Sequence, residues 1–350
     1  ELLIEKQSTN LLKHSQEFDN TDWVKINTTV TANATTAPDG TTTADKLIAT
    51  SANNVHLTIQ SIASKSPTWV YSVFAKKGEY DRLIMYVANT YYVGFNLTSG
   101  IVESSLGTGI TGAKIENFGN GWYRCTISST SNITGTAVAL GVFNSTYTNG
   151  NVDPIFIGDG TSGIYIWGAQ LESSDYATSY IPTTTTAVTR PQDIAYNTSV
   201  DVTGLVGTIF VRVRVFESSY AKTDTILSIN DGTTDNYILI YTDENRDITI
   251  STYGNPDQND YTYSVFGADG VYNIAVGYDF SGANNLINIS IDGVQTQSII
   301  TQVNAPPPSL NRIDLGSIVG NLPQVDNKII GVQWFNTQLD DSSLAALTTA

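Results

Sequence analysis

The stretch Gly163-Ile-Tyr-Ile-Trp-Gly-Ala-Gln-Leu-Glu172, with Ser179-Tyr-Ile-Pro-Thr183 and Val188-Thr-Arg-Pro191 behind it, decides the fold class. Side chains alternate across a strand, so Ile164 and Ile166 share one face while Tyr165 and Trp167 share the other. Both faces are apolar, which predicts a strand covered twice, by a sandwich core on one side and by something outside that core on the other. A neighbouring domain or subunit is the natural second cover. The strand closes a β-sandwich and hands the chain to another domain.

Working outward, short alternating segments recur over 68–75, 83–87, 91–97, 121–128, 136–143 and 163–171. Turn signals separate them: Pro38-Asp-Gly40, Lys77-Gly78, Thr98-Ser-Gly100 and Asn120-Gly121. This spacing predicts a jelly-roll-like antiparallel sandwich with Trp23, Trp69, Trp122 and Trp167 mostly in its core. Thr183-Thr-Thr-Thr-Ala187, between Pro182 and Pro191, has neither hydrophobic periodicity nor charge and reads as an extended connector. The expected layout is a sandwich over 1–181, a linker over 182–196 and a second sandwich over 197–350. Strands of the second are expected at 207–216, 225–229, 236–241, 247–252, 270–278, 286–291, 294–299 and 328–335, with tight turns at Asn230-Asp-Gly232 and Asp292-Gly293. Asp340 or Asp341 can cap a short C-terminal helix that sets Leu344 and Leu347 on one face and plugs one end of the sandwich.

Composition agrees with an all-β chain. In 350 residues, 41% are hydrophobic but only 14% charged, and 19 Tyr stand against one Met. Thr and Tyr pack well on pleated surfaces, whereas long unbranched helix formers are scarce. The net charge of −16 repels a bare phosphate backbone and so argues against nucleic acid as a partner. The charge is uneven, about −5 up to Asp193 and about −11 beyond it. No apolar run approaches the length of a membrane span, and the first residues lack a signal peptide's pattern, so neither membrane insertion nor signal-directed secretion is expected. Heptads and solenoid periods are absent too, leaving sandwich faces to carry any oligomer contact.

The chemistry of catalysis is poorly represented. The strand pattern Glu-x-Asp-x-x-Glu of laminarinase-like glycosidases is missing, as is a Gly-x-Ser-x-Gly elbow. The only two histidines, His14 and His56, keep no recognisable company. Cys125 alternates with Tyr123 and Ile127 and reads as a buried, inert thiol. Gly107-Thr-Gly-Ile-Thr-Gly112 lacks a strand-to-helix context and reads as a loop. No cofactor is required, although a structural calcium between Asp231 and Asp235 is a candidate, because hard oxygen ligands are abundant on the loops.

Sugar recognition uses aromatic faces beside planar amides and carboxylates. Two segments, both read as loops, carry that mixture: 143–153 with Tyr147, Asn149 and Asn151, and 253–263 with Asn255, Asp257, Tyr261 and Tyr263.

The "WGAQLE" strand, its "SYIPT…VTR" exit and the opening Leu2-Leu-Ile-Glu-Lys-Gln-Ser-Thr-Asn-Leu-Leu12 resemble a module recurrent in bacteriophage tail fibres, tailspikes and other virion appendages. Beyond it, 207–215, Ile291-Asp-Gly-Val294 and Leu339-Asp-Asp-Ser-Ser-Leu344 are similar to pieces of a laminin-G/concanavalin A-like sandwich. Together the resemblances imply a virion tail component made in the bacterial cytoplasm, a homotrimer alongside other tail proteins, non-enzymatic, and attaching the particle to host polysaccharide or lipopolysaccharide. Two other roles are compatible with the residues: a structural spacer or docking module, and an accessory part of a polysaccharide depolymerase.

Overall fold

The computed structural model describes residues 2–62, 68–88, 91–106, 109–130, 137–144, 155–174, 176–199, 205–215, 223–243, 245, 247–254, 257–263, 270–282, 285–301, 310–317, 319 and 328–349. The chain divides into two compact units, Ser8–Arg190 and Glu1–Gln7 together with Pro191–Ala350.

After β1 (Leu2–Leu3), the N-terminal unit holds β2 (Ser8–Asn10), β3 (Trp23–Ile26), β4 (Thr28–Thr35), β5 (Ala44–Ala49), β6 (Asn53–Asn54), β7 (Leu57–Ser61), β8 (Trp69–Lys77), β9 (Arg82–Val87), β10 (Tyr91–Asn96), β11 (Ile101–Leu106), β12 (Ile110–Gly119), β13 (Trp122–Ser129), β14 (Ala137–Phe143), β15 (Phe156–Ile157), β16 (Gly163–Glu172) and β17 (Val188–Arg190). The C-terminal unit holds β18 (Ala195–Asn197), β19 (Val206–Val215), β20 (Asp224–Asn230), β21 (Asn236–Thr242), β22 (Ile248–Gly254), β23 (Asp257–Tyr263), β24 (Gly270–Asp279), β25 (Asn285–Ile291), β26 (Val294–Thr301), β27 (Arg312–Leu315), β28 (Lys328–Phe335) and α1 (Asp341–Thr348). All described pairings are antiparallel, so the protein is all-β with sandwich units, as the alternation predicts.

In the N-terminal unit the sheets β11-β10-β9-β14-β7-β3 and β12-β13-β8-β16-β5-β4 face each other. Alternate residues, including Leu83, Met85 and Val87 of β9 against Tyr71, Val73 and Ala75 of β8, meet in one core that also holds Trp23 and Trp69. Each such fully buried large side chain is worth about 1.5–3 kcal/mol of apolar transfer. Cys125 sits in this core, buried as expected, and burial pushes its thiol well up.

β16 shows why its sequence is so particular. Its register against β8 slips between Trp167 and Gln170, and Gly168 sits there at φ 64°, a bulge conformation that glycine accepts without steric cost. The extra residue lets Ile164 and Ile166 before it, and Ala169 and Leu171 after it, all enter the core. Trp167 and Trp122 are buried too, but on the opposite side of the sheet, with Phe74, Ala37 and Ala44. The Tyr180 ring lies 4.5 Å from that of Trp167. The second cover is therefore the unit's own exit segment and the turn between β4 and β5, not a neighbouring domain or subunit: the chain after β16 folds back over it.

Polar clamps hold that fold-back in place. Gln170 and Glu172 are fully buried. The Gln170 carbonyl accepts from the Ile181 amide at 2.7 Å, and its amide donates to Glu172 Oε2 at 2.8 Å. Glu172 also accepts from the Thr178 hydroxyl at 2.6 Å and from the Ser8 hydroxyl at 2.5 Å. Asn10 donates to Ala169 O and Ile181 O and accepts from Leu12 N and Leu171 N. Opening segment, closing strand and exit are thus one buried hydrogen-bonded knot.

The C-terminal unit pairs sheet β1-β28-β19-β24-β25-β26 with sheet β18-β27-β20-β21-β22-β23. Ile209, Val211, Val213, Ile274, Val276 and Tyr278 from the first meet Ile226, Ile229, Ile238, Ile240 and Ile250 from the second. Asp340 caps α1, its carboxylate accepting from Ser343 N at 2.8 Å. The helix does not plug an end of the sandwich. Leu344, with Leu339 and Leu347, packs on Phe210 and Ala275 and so covers the outer face of the first sheet. A tail of that length saves more apolar area by lying on a broad face than by standing in a narrow opening.

Candidate functional site

On the side of the second sheet away from the core, half-buried tyrosines and the exposed Tyr196 and Asp260 stand over polar side chains that are fully buried, Ser228, Asn230, Ser251 and Asp314. The composition of this outer face follows from register. In β21, Asn236-Tyr-Ile-Leu-Ile-Tyr-Thr242, Ile238 and Ile240 point into the core, so Tyr237, Leu239 and Tyr241 point away from it. Cross-strand pairing then lines up two rows on that outer face. One runs Arg312, Asn230, Tyr237, Tyr253, and the other runs Tyr196, Asp314, Ser228, Leu239, Ser251, Asp260. At about 4.8 Å per strand, the six strands give the face a width of about 24 Å.

The centre of the face is tyrosine. The rings of Tyr237 and Tyr253 stack at 5.4 Å with 22° between planes, and Tyr241 stands four residues along the strand from Tyr237. All three are half-buried. Burial raises the Tyr237 and Tyr241 hydroxyls above their usual range; hydrogen bonds with Ser251 and Thr249 oppose the rise, and the nearby Asp260 carboxylate adds to it.

At the β18 end the groups are more tightly tied. Arg312 grips Asp314 with two donors, Nε to Oδ2 at 2.7 Å and Nη2 to Oδ1 at 2.5 Å, and its guanidinium lies 4.1 Å from the centre of the Tyr196 ring. Asp314 is fully buried and also accepts from Asn230 at 2.7 Å. This network leaves Tyr196 more than half exposed, at 55%. Round the same edge opens an apolar cleft of about 460 Å³, lined by Ile194, Tyr196, Ile313, Leu315, Val332 and Trp334. A Cβ at Gly207 would come within 2.7 Å of the Trp334 ring, so glycine there seats the indole.

The residues expected from the sequence are distributed differently. Tyr147, Asn149, Asn151 and Asn255 lie outside the described residues. Asp257, Tyr261 and Tyr263 belong to β23, opposite Gly254, Ile250 and Ile248, so 257–263 form a sheet edge strand and not a loop. Their side chains lie outside the described parts of the structure. Asp231 accepts from Thr233 N and Oγ1 through one oxygen and from Asn236 through the other, which makes it the brace of its turn. Burial opposes ionisation there, but those hydrogen bonds outweigh it and hold its carboxyl below the usual range. Asp235 is exposed in the same turn. Among the described residues no three His, Cys, Asp or Glu side chains gather as a metal site.

Sequence reasoning missed Tyr196, Tyr237, Tyr241, Arg312 and Asp314. The alternation inside 236–241 was signal enough for Tyr237 and Tyr241, since a strand with Ile on one face and Tyr on the other displays the Tyr.

No family model matches the chain, and no curated protein matches it. Solved structures with some likeness include the NanB sialidase from Streptococcus pneumoniae, at 12% identity over 41% of this chain and 24% of that one, TM-score 0.34. They also include the Ruminococcus gnavus IT-sialidase CBM40, at 17% identity over 42% of this chain and 85% of that one, TM-score 0.35. A third is the botulinum neurotoxin type G receptor binding domain, at 16% identity over 40% of this chain and 37% of that one, TM-score 0.32. The match thus spans about a quarter of the sialidase chain's length. Scores at this level carry no functional weight, and the all-β assignment rests on this chain's own paired strands.

Proposed function

We propose that the protein is a non-catalytic glycan-binding component of a bacteriophage tail fibre or tailspike, attaching the virion to polysaccharide or lipopolysaccharide on the host. The observation that carries the reading is the pair of rows on the outer face of the C-terminal unit's second sheet. Tyrosine rings meet the C–H faces of sugars, while the exposed Asp260 offers a carboxylate to sugar hydroxyls; the buried Asn230 and Ser251 bond to Asp314 and Tyr237 and brace the face. The virion assignment is supported by the sequence resemblance, as are the homotrimer and the placement among other tail proteins. Arrayed copies on one particle would convert weak single sites into avidity.

The N-terminal unit suits a supporting role. Its β12-β13-β8-β16-β5-β4 sheet is covered outside at Phe74, Trp122 and Trp167 by its own segments, and its signature residues are spent on the buried knot. The buried carboxylates are occupied: Asp314 by Arg312, Glu172 by Thr178 and Ser8. A glycosidase needs two carboxyl groups free to flank a bond.

The test is binding of the full chain to host-surface polysaccharide, with Tyr237→Ala and Tyr253→Ala as variants and Ser342→Ala on α1 as control. Each tyrosine variant is expected to lose about tenfold or more in affinity, with the control unchanged. Undiminished binding by both tyrosine variants would remove this face from the reading. Native mass and competition with phage adsorption test the trimer and the virion role.

A further inference from the structure

Resting on the glycan reading, we propose that the tyrosine face takes saccharides free of carboxylate, phosphate and sulfate groups: neutral glycans, or glycans bearing free amines. The argument is one of available charge. The six strands of this sheet contain a single basic residue, Arg312, against four acidic ones, Asp224, Asp257, Asp260 and Asp314. Arg312 is committed. Its fork closes on Asp314, which is fully buried, and its planar face rests on Tyr196. An anionic sugar would have to displace Asp314 from the guanidinium and leave a buried carboxylate without its partner, which is costly.

At the other end the sign is opposite to what an anion needs. Asp260 is exposed and stands directly across from Ser251, in the row beside the Tyr237–Tyr253 pair. Its field reaches the hydroxyls of both Tyr237 and Tyr241. A sugar acid laid on those rings would bring like charge to within a few side-chain diameters of Asp260, in a half of the chain that already carries about −11. A neutral sugar meets only hydrogen-bonding groups there, and an amine gains a carboxylate and an electron-rich ring face.

The experiment is a glycan array printed with neutral, amine-bearing and acidic (uronate, sialate and phosphorylated) oligosaccharides, probed with the full chain, with Tyr237→Ala and with Asp260→Asn. Hits are expected only in the first two groups and are expected to fall with Tyr237→Ala. The carboxylated counterpart of a hit should bind about tenfold more weakly or worse, and Asp260→Asn should narrow that gap. An acidic glycan whose binding is lost in Tyr237→Ala overturns the charge inference but leaves glycan recognition by this face standing. Acidic glycan binding that survives Tyr237→Ala moves the site elsewhere and overturns the inference with it. No binding to any printed or host saccharide ends the glycan reading itself.

Discussion

Replacing Asn10 with alanine should cost the N-terminal unit about as much stability as deleting a large core side chain. The Asn10 amide is fully buried and makes four hydrogen bonds to main chain, donating to Ala169 O at 3.1 Å and Ile181 O at 2.9 Å and accepting from Leu12 N at 3.1 Å and Leu171 N at 3.2 Å. At about 1 kcal/mol net for each bond, the loss is about 4 kcal/mol, and more where a partner stays buried without water. Urea unfolding followed by tryptophan fluorescence reads it selectively, because Trp23, Trp69, Trp122 and Trp167 belong to this unit and only Trp334 to the other. With an m-value of about 2 kcal/mol/M, the fluorescence midpoint should fall by about 2 M. The control is Thr9→Ala, whose exposed hydroxyl meets only Thr189 and should change stability by about 0.5 kcal/mol or less. Asn10→Asp keeps the acceptor but sets a charge against two carbonyl oxygens, so it should be no milder than alanine at neutral pH. If Asn10→Ala moves the midpoint no further than Thr9→Ala, the knot is not what joins opening segment, closing strand and exit.

Asp45 is almost wholly buried, and that burial raises its carboxyl to about 6 from 3.8, against the pull of backbone hydrogen bonds from Asn33 and Phe18. A raised acid stabilises the fold when protonated, so its contribution is complete below 3.8 and lost as pH rises through about 6, amounting to about 3 kcal/mol. The unfolding free energy of Asp45→Asn relative to the native chain should therefore rise by about that amount between pH 4 and pH 8, and a flat difference would refute the linkage. Gly168→Ala puts a Cβ 3.2 Å from Phe74 and 3.3 Å from Tyr180 at a φ of 64°, and should cost about 1–3 kcal/mol in the same fluorescence assay. Asp340→Ala removes the α1 cap, and hydrogen exchange should show faster exchange at the Ser343 amide while β24 stays protected.

How far the fold could be read in advance depended on how each strand announces itself. β8, β14, β16 and β19 carry strong apolar alternation or near-continuous apolar runs, and the sequence expectation lies within two residues of their ends. β4, Thr28-Thr-Val-Thr-Ala-Asn-Ala-Thr35, is mostly exposed and has no apolar face to betray it. β23, Asp257-Gln-Asn-Asp-Tyr-Thr-Tyr263, opens with four polar residues, and as an edge strand it needs only one hydrogen-bonded neighbour. β27 is four residues long, yet it brings Arg312 and Asp314 beside Tyr196. That juxtaposition is long-range, set by which strands pair, and no local pattern carries it.

The part of this chain easiest to recognise is also the part least suited to touch a ligand, and one physical cause accounts for both. A buried polar group must find its partner or cost the fold its desolvation. Asn10, Gln170, Glu172 and Thr178 therefore need fixed identities at fixed spacings, which makes a legible motif and at the same time uses up every donor and acceptor in it. The tyrosine face works under a weaker demand. Tyr237, Tyr241 and Tyr253 need only alternate with core isoleucines to stand on the outer surface, and many sequences satisfy that. Since their hydroxyls remain at a half-buried surface and are not sealed within a closed network, they keep the capacity to exchange partners. The architecture thus separates two demands, with rigid polar satisfaction holding the N-terminal unit together and loosely specified aromatic display on the C-terminal one, where substitution on the tyrosine face need not endanger the scaffold; on the proposed reading, that is the face where variation would retune glycan choice.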